Sequence, residues 1–121
     1  MVINYTTILE SRFDAPFIGT LVAGRYCSGN CINCFNQHLK DLPGQQIDSN
    51  ELLDQIQSNP FSEGIILAGL EWLDGQYDEA YELLSNALAR GMKAMLYTRL
   101  YADEVQRWYP KLMKLIGLYI K

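Results

Sequence analysis

"GIILAGLEWLDGQYDEAYELLSNALARGMKAMLYT", residues 64–98, decides the fold. Its opening "GIILAGL" is apolar and β-branched between glycines, the composition of a strand buried on both faces. Tyr77, Ala80, Tyr81, Leu84, Ala87 and Leu88 then recur at helical spacing. Asp78, Glu79 and Glu82 come early, Arg90 comes late and Gly91 follows, which suits a helix dipole and a C-terminal glycine. "KAMLYT" (93–98) returns to strand character. Strand, helix and strand in this order make a crossover unit with a parallel pair.

Working outward, "FIGTLVAG" (17–24) reads as the first strand. "IDSNELLDQIQSN" (47–59) reads as a helix capped by Asp48 or Ser49, with Leu52, Leu53 and Ile56 on one face. "ADEVQRWY" (102–109) is a short helix stopped before Pro110, and "KLIGLYIK" (114–121) is a fourth strand. The expected fold is α/β, an open partial (βα) barrel with a mostly parallel sheet of about four strands, because that number cannot close an eight-stranded barrel. The chain of 121 residues is expected to be a single domain.

The formal charge of −4 and the scattered arginines argue against a nucleic-acid module, whose footprint is a basic stripe. No apolar run approaches the roughly 20 residues of a membrane span. "MVINYTTILESRFD" (1–14) lacks the basic start and long apolar core of a signal peptide. The three cysteines are an odd, clustered set, which fits a reducing, cytoplasmic setting better than a disulfide framework. No nucleic acid and no membrane are therefore expected as partners.

In open α/β sheets chemistry sits beyond the carboxyl ends of the strands. Three unusual loops follow the first three strands: the cysteine loop, "GLEWLDG" (69–75) and "TRLYAD" (98–103). The topology brings them to one edge. The first, "YCSGNCINCFNQH" (26–38), holds Cys27, Cys31, Cys34 and the single histidine, His38, and Gly29, Asn30 and Asn33 suit a tight wrap. Three thiolates at C-x3-C-x2-C suit a four-iron, four-sulfur cluster that leaves one iron open. A zinc ion would need His38 as fourth ligand, and zinc sites usually pair their ligands two and two in domains that lack a core. Free buried thiols are the third reading. The cluster is favoured, and with it His38 becomes a surface or capping residue.

"CSGNCINCFN" resembles the cysteine loop of the radical S-adenosylmethionine (SAM) superfamily, and of the small activating enzymes of anaerobic ribonucleotide reductase in particular. There an aromatic and an asparagine follow the third cysteine, as Phe35 and Asn36 do. "GIILAGLEWLD" resembles that family's second strand and its Gly-Gly-Glu turn, with Gly69 and Glu71 at the first glycine and the acid. "YTR" (97–99) resembles its third-strand Tyr-Thr-Gly. The resemblance implies that Cys27, Cys31 and Cys34 ligate three irons of a 4Fe-4S cluster and that the fourth iron takes SAM. It implies a SAM amino group received near Gly69 and Leu70, with Glu71 beside it, and adenine within reach of Asn33. The implied partners are a large glycyl radical enzyme and a flavodoxin-type electron donor.

Leu70 stands where the family has its second glycine, Trp72 where a proline often follows, and Asn33 where an aromatic is common. The family usually continues past the fourth strand, so a minimal or C-terminally shortened member is expected. Tyr97 and Thr98 read as strand residues rather than ribose contacts. Trp108 and Tyr109 read as packing, Asp103 as a helix start, and Trp72 as packing that is also placed to dock a partner.

Overall fold

The apolar runs at 19–23, 64–68 and 93–96 become neighbouring strands of one sheet. The computed structural model describes residues 1–11, 16–24, 44–69, 71–73, 75–115 and 117–120. Along the chain these form β1 (Val2–Tyr5), β2 (Ile8–Ser11), β3 (Gly19–Ala23), β4 (Gln45–Asp48), α1 (Ser49–Ser58) and β5 (Gly64–Ala68), then α2 (Tyr77–Ala89), β6 (Lys93–Leu96), α3 (Ala102–Trp108), α4 (Pro110–Met113) and β7 (Leu118–Ile120).

The main sheet has five strands in the order β2-β3-β5-β6-β7. β3, β5, β6 and β7 are mutually parallel, as the crossover pattern requires, and β2 pairs antiparallel with β3. β1 and β4 form a separate antiparallel pair. The expectation of about four strands covers the parallel set and misses β1, β2 and β4. Each of these three is four residues long, and β4 ("QQID") is mostly exposed, so neither length nor alternation marks it. The architecture is α/β with a mostly parallel sheet.

Strand period 2 sorts the side chains. One row runs through register partners across all five strands, Leu9, Leu21, Ile66, Met95 and Tyr119. Its middle joins Phe17, Ala68 and Tyr97 in a small cluster. On the opposite face Val22, Ile65, Leu67, Ala94 and Leu96 merge with the helix side chains into the main core. β5 is buried at every position, which is why "GIILA" carries no polar residue.

The Asp48 carboxylate accepts the Asn50 N–H at 3.1 Å, so Asp48 rather than Ser49 caps α1, and Leu52, Leu53 and Ile56 are buried as expected. α2 buries Ala80, Leu83, Leu84 and Ala87, while Tyr77, Tyr81 and Leu88 pack at the margin of that stripe. Gly91 ends it, its N–H returning to Leu88 O at 3.0 Å. At the start of α3 it is Glu104, not Asp103, that accepts the Tyr101 N–H, at 3.0 Å. No helix among the described residues is long and apolar enough to cross a membrane.

Candidate metal centre

The carboxyl edge of the parallel strands is bounded by Gly24 after β3, Gly69 after β5 and Tyr97 to Arg99 after β6. The strands end earlier than the sequence patterns implied, at Ala23, Ala68 and Leu96, because the residues beyond them turn to build this edge. Gly69 has a φ of 85°, a left-handed conformation that side-chain-bearing residues avoid, and it turns the chain off β5.

Trp72 is the edge's internal pin. It is fully buried, and its indole N–H lies 3.2 Å from Val22 O and 3.1 Å from Ala68 O, between the ends of β3 and β5. A partner-docking role for this ring is therefore corrected: the indole faces the interior, where two carbonyls satisfy its polar end. Its packing also explains Gly24. A Cβ there would sit 3.2 Å from both Trp72 Nε1 and Gln76 Oε1, so a methyl group would fit only if these side chains gave way by a few tenths of an ångström. The Gly24 N–H donates to Ala68 O at 3.1 Å and keeps this departure in register with β5.

Glu71 is buried, and its carboxylate is fully engaged in the protein. One oxygen accepts from the Arg99 N–H at 2.7 Å and from the Thr98 hydroxyl at 2.9 Å, the other from the Leu73 N–H at 3.2 Å. Arg99 Nε adds a cation 4.0 Å away. A single carboxylate thus ties the turn after β5 to the turn after β6. The expectation that Glu71 lies beside a cofactor stands as a proposal; what the structure shows is a carboxylate bonded to both turns. Thr98 serves the same tie, since its hydroxyl also accepts the Leu100 N–H at 3.2 Å. Tyr109 donates to Leu73 O at 3.1 Å and stacks on Tyr77 with ring centroids 4.7 Å apart, closing the turn from the helix side. Burial, and next the neighbouring Tyr81, push the Tyr77 phenol above its usual range, so it stays neutral there.

Cys27, Cys31, Cys34, Asn33, Leu70, His38, Phe35 and Asn36 lie outside the described residues. Among the described residues no group of three or more His, Cys, Asp or Glu side chains could hold a metal ion. All cysteines of the chain are on the segment that leaves β3 at the carboxyl edge and rejoins the fold at β4. Three soft thiolates are the donors iron–sulfur clusters take, so this donor set fits one.

A family model described as "4Fe-4S single cluster domain" matches residues 18–120. The chain belongs to that family. The match spans all four parallel strands and the cysteine segment, so the 4Fe-4S single cluster domain coincides with the α/β unit and leaves out β1 and β2. A search of curated proteins finds no match.

Sequence reasoning missed Thr6, Asn4, Gln76 and Glu79, which gather where β3 leaves the sheet. Gln76 is 1% exposed, and a buried amide just before a helix is a signal that could have been found. The signal for Thr6 is only its proximity to a strand too short to recognise.

Proposed function

We propose that this 4Fe-4S domain is a radical SAM protein, most like the activases of glycyl radical enzymes. The observation that carries the reading is the set of three thiols, Cys27, Cys31 and Cys34, in a 4Fe-4S domain at the carboxyl end of β3. Three thiolates ligate three of the four irons, and the vacancy is where a SAM amino acid group binds. When bound, the reduced cluster supplies one electron that splits the sulfonium carbon–sulfur bond of SAM into methionine and a 5′-deoxyadenosyl radical. In an activase that chemistry would be directed at a glycine Cα of the partner enzyme.

The chain's own residues have defined parts in this reading. The turn at Gly69 and the neighbouring Leu70 would present backbone to the SAM amino group. Glu71 holds that turn against Thr98 and Arg99 without spending its carboxylate on the ligand. Asn33 serves adenine through its backbone carbonyl. An open partial barrel admits a protein loop, such as the glycine loop of anaerobic ribonucleotide reductase. A flavodoxin-type donor supplies the electron, in the cytoplasm.

The test is anaerobic reconstitution with iron and sulfide, then incubation with SAM and dithionite. The reading predicts a broad visible absorbance that dithionite bleaches, loss of that absorbance in Cys27→Ala, and formation of 5′-deoxyadenosine. A cluster that never cleaves SAM would end the enzyme reading and leave the cluster domain. One zinc per chain whose retention depends on His38 would replace both with a zinc-stabilised interaction module.

A further inference from the structure

The cysteine segment leaves the described fold at Gly24 and returns at Gly44, and both flanks are fastened to the same four residues. On the upstream side the Thr6 N–H donates to Ala23 O at 3.0 Å, and the Ala23 N–H donates to Thr7 O at 2.9 Å. The buried Thr6 hydroxyl adds a bond to Gly24 O at 3.3 Å. On the downstream side Tyr5 is the register partner of Gln45, and the Tyr5 hydroxyl donates to Gln45 Oε1 at 3.4 Å. Gln45 Nε2 in turn donates to Thr6 O at 3.5 Å.

The same stretch is locked to α2. Gln76 Nε2 donates to Asn4 O at 2.6 Å, and Glu79 accepts from both the Asn4 backbone N–H and its side-chain amide. Asn4 therefore meets a side-chain amide and a carboxylate where a neighbouring strand would offer a carbonyl and an N–H. Gln76 works on both sides, because its Oε1 also sits 3.2 Å from the place a Gly24 Cβ would occupy.

We propose that Asn4–Thr7 is a clamp that sets the separation of the two ends of the cysteine segment, with Thr6 and Gln76 as positioning residues for the cluster. This rests on the 4Fe-4S assignment but not on SAM cleavage. Asn4–Thr7 precede the matched residues 18–120, while Gln45 and Gln76, to which they are bonded, lie within them. Its physical reason is entropic: a long segment bearing three ligands binds a cluster more tightly when its ends are held at the bound separation.

The test compares Thr6→Val, which keeps the shape and removes the hydroxyl, with Thr6→Ser, which keeps the hydroxyl, and with Gln76→Leu. Arg90→Ala, at the far end of α2, is the control. The first readout is the rate at which reconstituted protein gives up iron to an excess of chelator. Thr6→Val and Gln76→Leu are expected to release iron about fivefold faster, the factor that one lost buried hydrogen bond gives. Thr6→Ser and Arg90→Ala should follow the wild type. Equal rates in Thr6→Val and Thr6→Ser would overturn the proposal. The second readout is hydrogen exchange at the Ala23 amide in the cluster-free chain, expected to quicken in Thr6→Val and to stay at the wild-type rate in Arg90→Ala. Should the wild type take up no cluster, the cluster reading falls, and unchanged exchange in Thr6→Val would then overturn the clamp separately.

Discussion

The turn after β5 and the described flanks of the cysteine segment are secured in opposite ways. The turn after β5 carries its own anchors: Glu71 and Trp72 are adjacent in sequence, both buried, and between them bond to β3, β5 and the turn after β6. The flanks of the cysteine segment are anchored from outside, by Thr6 and Tyr5, through bonds that span 18 and 40 residues of chain, and Gln76 holds Asn4 beside them. A turn that must keep one shape is served by local side chains. The flanks of the cysteine segment are held instead by side chains distant in sequence.

The largest expected break of this comparison is Trp72→Ala. It removes a fully buried ring and both of its hydrogen bonds, and should cost about 3–5 kcal/mol in denaturant unfolding, enough to threaten folding of a domain this size. Trp72→Phe keeps most of the volume and isolates the loss of the indole N–H, about 1–2 kcal/mol. If both variants match the wild type, the ring is not the pin described here.

Glu71→Gln comes next. The amide keeps one acceptor oxygen but turns an NH2 group toward the donors it faces, Leu73 N–H on one side and Thr98 and Arg99 on the other. An expected loss of about 1–3 kcal/mol, read by chemical denaturation of the cluster-free chain, marks a structural carboxylate. Unchanged stability together with lost SAM binding would return Glu71 to the ligand. Gly24→Ala should cost about 1–3 kcal/mol by overpacking against Trp72 and Gln76, and it sharpens the comparison because it strikes the point where the two anchoring systems touch. The smallest effect belongs to Arg90→Ala. The Arg90–Asp54 pair is close, at 2.7 Å, but Asp54 is largely exposed, so about 0–1 kcal/mol is expected.

The same contrast explains what could be read from the sequence. "GIILA" and the α2 stripe declare themselves through burial on both faces and through period 3.6, so the parallel strands and their order along the chain are legible. The thiol spacing is legible because three cysteines in so short a stretch have few other uses. β1, β2 and β4 are not, since each is only four residues long, and β1 and β4 pair with each other across a long stretch of chain. Glu71 was singled out from its place after a buried strand, but its bonds to Leu73, Thr98 and Arg99 were not legible, because they join turns distant in sequence. Trp72 was read as packing also placed to dock a partner; the packing holds, and only the structure shows Val22 O and Ala68 O converging on its N–H.

The most direct measurement is iron and acid-labile sulfide counted per chain after anaerobic reconstitution of the wild type and of Cys27→Ala, Cys31→Ala and Cys34→Ala. The account predicts about four irons and four sulfides in the wild type, as the 4Fe-4S family implies, and loss of that stoichiometry in each variant. Full iron and sulfide in any of the three variants, or zinc without sulfide in the wild type, would contradict it.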